Sequence, residues 1–200
     1  MRVEAECPCG RRARAEWPDE IDAAAAPHLR AALLGRTLDR LECPGCGRGM
    51  RVEAPLLYTD PPREIRVRHL PGGDRDRWRE AVADPAPLVF GVNDLVERVL
   101  VLEAGLDPAA VEVLKALAVL GRTDVRPPDR YLHFEAVAGD RILIRAVGPE
   151  LPGEVLAVPR ADYDRVREGW DRLRRDPALW MVVDPPYQNY LKVLEVPPEE

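Results

Sequence analysis

The 200-residue chain contains no serine, and its other small-alphabet gaps are nearly as severe. Lysine occurs only at 115 and 192, glutamine only at 188, asparagine at 93 and 189, threonine at 37, 59 and 123, and histidine at 28, 69 and 133. A serine nucleophile is therefore excluded, and with it any Ser/His/Asp arrangement. A Cys/His pair would have to borrow a thiol from the cysteines discussed below. No run approaches the roughly 20 apolar residues of a membrane span. The opening "MRVEAECPCG" holds no apolar stretch able to act as a signal peptide, so the expected location is the cytoplasm, where thiols stay reduced. Few amides beside 21 prolines suit a heat-adapted protein, and a GC-rich genome leaves the same imprint.

Positive charge is also in deficit: 29 Lys+Arg stand against 35 Asp+Glu, for a net charge of -6. Such a surface does not as a whole seek phosphate backbones. "RRAR" at 11–14 is a local basic patch, but Glu4, Glu6 and Glu16 surround it, which reads as a solvated strand face.

What is present is concentrated in four cysteines, in "CPCG" at 7–10 and "CPGCG" at 43–47. "RVEAE" and "RRARAEW" flank the first pair, and "RTLDRLE" and "RGMRVEAPLLY" the second, with the alternation of half-buried strands. This predicts two β-hairpins, each with a cysteine pair at its corner. Pro8 and Pro44 stiffen the corners, and Gly10 and Gly47 admit backbone angles other residues resist. Cys7, Cys9, Cys43 and Cys46 would then converge as four thiolate ligands of a structural zinc ion, a closed set with no position for substrate. A redox dithiol and plain core cysteines are the competing readings. Between the hairpins, "IDAAAAPHLRAALLGRTL" predicts one short helix, capped by Asp22 or starting at Pro27 and ending at Gly35, with Leu29, Leu33 and Leu34 as its apolar stripe. His28 on that helix is a weak extra ligand candidate.

Together "CPCG", "PHLRAALLGRTL" at 27–38, "CPGCG" and "EAPLLYTD" at 53–60 resemble the CpXC domain family of bacterial proteins, and "NDLVERVLVLEAGLDPAAVEVLKAL" at 93–117 is similar to the stretch that follows in longer members. The literal Cys-Pro-x-Cys pattern occurs only at the second pair. The resemblance implies a zinc-ribbon-like domain with Cys7, Cys9, Cys43 and Cys46 as metal ligands, and no established substrate or catalytic residue.

Downstream, "REIRVRHL" at 63–70 reads as a strand with Ile65, Val67 and His69 on one face, and the segment around Trp78 as a short helix. Leu95, Val96, Val99, Leu100 and Leu102 form a wide apolar helix face ending at Gly105. Asp107 and Pro108 then cap and begin a second helix carrying Val111, Leu114, Leu117 and Ala118, so a helical hairpin is expected. Glu97, Glu103 and Glu112 invite a metal-dependent nuclease reading, but Glu112 and Lys115, three apart on a helix, make an ordinary ion pair. "RTDVRPPDR" at 122–130 is the best linker candidate. Beyond it, "YLHFEAV" and "RILIRAV" predict a hairpin turning at Gly139–Asp140, "EVLAVP" a further strand, "ADYDRVREGWDRLRRD" an amphipathic helix with Tyr163, Val166, Trp170 and Leu173 on one side, and "LWMVVD" a returning strand. Trp180, Tyr187 and Tyr190 read as core edge, without the basic run of a base-stacking platform. "VPPEE" reads as a tail.

The expected architecture is α+β: a zinc ribbon at 1–60, a strand and helical-hairpin region at 61–121, and a small α+β unit at 130–196. The function expected is that of a non-enzymatic, zinc-stabilised binding module with an unidentified protein partner, nucleic acid being the weaker alternative. The rivals are a thiol redox switch and an enzyme with a site at the ribbon/body junction built on His133, Glu135 and Asp184.

Overall fold

The computed structural model describes residues 1–72, 86–120, 131–147 and 153–174. The segment around Trp78, the 122–130 linker, "LWMVVD", Asp184, the Trp180–Tyr190 aromatic group and the tail lie outside them. The protein is mixed α+β with several small sheets, and the chain divides into two compact units, Met1–Val99 and Leu100–Glu200.

In the first unit, β1 (Arg2–Glu6) and β2 (Arg12–Glu16) form an antiparallel hairpin in the register Val3 to Ala15, with the first cysteine pair at its turn. On its exposed face Arg12 and Arg14 both reach the Glu4 carboxylate, at 3.1 and 2.6 Å, so two of the three "RRAR" charges are paired within the hairpin. β4 (Arg40–Glu42) and β5 (Gly49–Arg51) form the second hairpin around the second pair. Between the hairpins come β3 (Glu20–Asp22) and α1 (Pro27–Leu34). Pro27 is the first helical residue. Asp22 is not the helix cap: its carboxylate accepts the Ala24 and Ala25 amides, at 2.9 and 3.0 Å, in a turn five residues upstream of the helix. A proline at the first helical position satisfies the backbone better than a cap placed across four alanines.

The second strand after Cys46 is shorter than the sequence suggests. "RGMRVEAPLLY" splits at Val52–Pro55 into β5 and β6 (Leu56–Asp60), and the two belong to different sheets. Pro55 cannot donate to a ladder, which ends the pairing there. β6 joins β7 (Ile65–Leu70), β3 and β8 (Leu88–Phe90) in a sheet of order β3-β6-β7-β8. β3 and β8 pair in parallel with their neighbours, so sequence alternation alone did not reveal them. Ile65, Val67 and His69 are buried on one face of β7, as the pattern predicts.

Helix α2 (Val92–Glu103) starts on contacts from the hairpin region. The Glu53 carboxylate accepts the Val92 amide at 3.1 Å and the Gly72 amide at 3.2 Å, and Arg36 donates to Asn93 Oδ1. A carboxylate at this position satisfies an orphan helix amide and opposes the positive end of the helix dipole.

In the second unit, Asp107 caps α3 (Pro108–Leu120) through its carboxylate, which accepts the Ala109 and Ala110 amides at 2.8 and 3.2 Å. β9 (Tyr131–Ala138), β10 (Arg141–Val147) and β11 (Glu154–Pro159) form an antiparallel sheet, with the β9–β10 turn at Gly139 and Asp140, and α4 (Arg160–Arg174) follows. One face of the sheet presents Leu132, Phe134, Ile142, Ile144 and Ala146 to Val111, Leu114 and Tyr163, forming a continuous apolar core. The Tyr163 hydroxyl accepts the Asp107 amide at 2.8 Å, which ties α4 to the start of α3.

Candidate metal centre

The two cysteine turns are built to one plan with one residue of difference. In the first, the Cys7 amide donates to the Arg11 carbonyl at 2.8 Å, and Gly10 donates back to the Cys7 carbonyl at 2.8 Å. In the second, Cys43 donates to the Arg48 carbonyl at 2.9 Å, and Gly47 back to the Cys43 carbonyl at 2.9 Å. Gly10 and Gly47 occupy equivalent places with φ of +81° and +69°, the left-handed region that a side chain resists. The extra residue of the second turn is Gly45. A Cβ there would stand 2.7 Å from Arg11 Cγ, so the Arg11 stem lies directly over it. The Cys-x-Cys and Cys-x-x-Cys turns thus differ by Gly45, and both deliver their sulfurs to one cluster.

The hairpins stand side by side, with β2 beside β4, and the four sulfurs converge: Cys7, Cys9, Cys43 and Cys46 all lie within 4.8 Å of one another. Cys7 and Cys46 approach at 3.6 Å, and Cys9 and Cys43 at 3.4 Å. No disulfide joins them. Metal–sulfur bonds of about 2.3 Å set tetrahedral edges near about 3.8 Å, so one ion fits this cage. The cage is half in and half out of solvent, with Cys7 and Cys43 buried and Cys9 and Cys46 exposed.

Electrostatics supply the reason a cation belongs there. The Gly45 amide, 3.4 Å from Cys43 Sγ, lowers that thiol to about 6, and the Cys46 amide and the neighbouring thiols act in the same direction. The Cys9 amide pulls Cys7 down, but burial and the three other sulfurs outweigh it and push Cys7 up to about 12. Cys9 is also raised: the Arg11 amide lowers it and the Cys43 sulfur opposes this. Four sulfurs this close cannot all ionise on their own, because each new thiolate repels the others. A bound cation removes that penalty and displaces the protons.

The remaining candidates separate cleanly. His28 is exposed on α1 and takes no part in the cluster. His69 is buried, with Nδ1 3.2 Å from the Ala54 carbonyl; desolvation holds its imidazole below the ordinary range, partly opposed by Glu53. Glu112 pairs with Lys115 at 2.7 Å, but the lysine is itself buried, so the pair is less superficial than its spacing suggests. Glu135 shares the outer sheet face with His133, and its carboxylate is held by Arg145 at 2.5 Å. Sequence reasoning missed Arg11 and Gly45 as a packed pair, and also the fully buried Asp39, which holds Arg51 at 2.6 Å at the foot of the second hairpin. Only the glycine, placed between two cysteines, left a trace in the sequence.

Two paired hairpins carrying four convergent thiols, attached to a mixed sheet, define a metal-binding α+β protein. The sequence matches the CpXC protein family over residues 5–115, and the chain belongs to that family. No curated protein and no solved structure matches it. Among the described residues no helix is long and apolar enough to cross a membrane.

Proposed function

We propose that residues 1–60 are a zinc ribbon and that the protein is a zinc-stabilised, non-enzymatic binding module whose partner is another protein. The observation that carries this is the closed cage of Cys7, Cys9, Cys43 and Cys46. Four thiolates suit zinc, which prefers sulfur and tetrahedral geometry, and they leave no coordination position for water or substrate. The ion would supply structure: small hairpins bury too little surface to fold alone, and zinc binding to such sites provides about 10–16 kcal/mol of apparent free energy. A net charge of -6 and the pairing of Arg12 and Arg14 with Glu4 favour a protein partner over nucleic acid.

Elemental analysis of the purified protein tests the site, with one zinc per chain expected. Chelation should then change the near-UV dichroism as the hairpins lose their fixed structure. A chain without metal, or dichroism unmoved by chelator, overturns the reading. Tight, steeply salt-dependent binding to a DNA duplex would replace the protein partner with nucleic acid.

A further inference from the structure

Two close sulfur–sulfur approaches in the cage cross between the hairpins, and each joins one exposed cysteine to one buried cysteine: Cys9 to Cys43 at 3.4 Å and Cys46 to Cys7 at 3.6 Å. We infer that the cage is a peroxide-responsive clasp, in which oxidation expels the metal and replaces it with two disulfides between the hairpins, Cys9–Cys43 and Cys7–Cys46. The inference builds on the zinc reading above and adds a regulation to it.

The argument is one of access and reach. A peroxide arriving from solvent meets Cys9 and Cys46 first, since Cys7 and Cys43 are buried. Attack by an exposed sulfur breaks the O–O bond, forms an S–O bond and releases one water, giving a sulfenic acid. The buried sulfur opposite then attacks it; the S–S bond forms, the S–O bond breaks and a second water leaves. Each disulfide consumes one peroxide, which takes up the two electrons the sulfurs lose. Two peroxides and four protons therefore convert four metal-bound thiolates into two disulfides, four waters and one released divalent ion.

Pairing within a hairpin is disfavoured for different reasons in the two turns. A Cys7–Cys9 bond would close on Pro8 alone, whose ring fixes φ, and disulfide geometry tolerates little distortion. In the second turn, Gly45 lies under the Arg11 stem, and the Gly45 and Gly47 amides already bind Cys43, so closing Cys43–Cys46 would disturb a packed and hydrogen-bonded loop. Crossing between the hairpins needs only that sulfurs already in contact close to about 2.05 Å. The oxidised clasp would keep β2 beside β4 after the ion has gone, so the module would survive metal loss without unfolding.

The test uses the full-length, metal-loaded protein and hydrogen peroxide. Released ion is followed with a chromogenic chelator, free thiols are counted, and the linkages are mapped by mass spectrometry of a non-reduced digest. The expected result is loss of all four thiols, one ion freed per two peroxides, and peptides containing Cys7 and Cys9 linked to those containing Cys43 and Cys46. Near-UV dichroism should persist in the oxidised protein with chelator present, and a thiol reductant with added zinc should restore the starting state. A Cys43–Cys46 disulfide, sulfinic acids, or an ion that stays bound would overturn the clasp while leaving the zinc reading intact. A starting protein that carries no metal would fail the zinc reading first.

Discussion

The cysteine hairpins and the Leu100–Glu200 unit solve the same problem of holding short strands together, and they do so by opposite means. In β1, β2, β4 and β5 only Ala13 is buried, and every other strand residue is half-buried or exposed. In β9 and β10 five side chains enter one apolar core beside α3 and Tyr163. Burial stabilises by about 25 cal/mol per Å² of apolar surface, a contribution the hairpins can scarcely draw on. Their sulfurs offer instead a crosslink that a cation can close. The contrast teaches where each part is vulnerable: the first to chelators, acid and oxidants, the second to loss of side-chain volume.

Removing the ion should separate the two regions most widely. With chelator the hairpins should lose their fixed structure, at an apparent cost of about 10–16 kcal/mol, while the second unit keeps its amide protection in hydrogen exchange. Equal loss of protection throughout would abolish the contrast. Next in size is Ile144→Ala in the fully buried core of the second unit. It should cost about 2–5 kcal/mol in denaturant unfolding and leave the bound-metal stoichiometry unchanged.

Gly45→Ala sharpens the picture inside the metal turn. The added Cβ would strike the Arg11 stem at 2.7 Å, and overpacking of this kind costs about 1–3 kcal/mol. Zinc affinity should fall in a competition titration, and adding Arg11→Ala to the same chain should restore much of it. If the double variant is as weak as the single, the packing of Arg11 on Gly45 is not what holds the turn.

The smallest effect expected is that of His69. Its imidazole is held below the ordinary value of 6.5 by burial, so the folded state takes up fewer protons than the unfolded state under mild acid. Stability from this group is complete above about 6.5 and is lost as the pH falls toward the folded value. His69→Leu should flatten that part of the pH dependence in thermal melts of the metal-loaded protein, and an unchanged slope would place the sensitivity elsewhere.

Much of this was legible in the residues because the signals are local. Proline at 27, the Asp107–Pro108 pair and the Gly139–Asp140 turn each dictate backbone angles or satisfy amides within a few residues, and the elements they announce stand where expected. The parallel strands β3 and β8 went unseen, because three-residue strands carry no period of their own and owe their existence to the neighbours they pair with. Glu53 behaves likewise, an exposed acid whose role is set by the arrival of the α2 amide.

From the amino-acid order alone came the family resemblance, the four sulfurs and the glycines that shape their turns, since those depend on spacing along the chain. Only the tertiary structure decided which sulfur faces which, and which of each pair meets solvent. Those relations join residues 34 and 39 positions apart and depend on how one hairpin is laid against the other. Spacing within a turn is a matter of bond geometry; pairing between turns is a matter of packing.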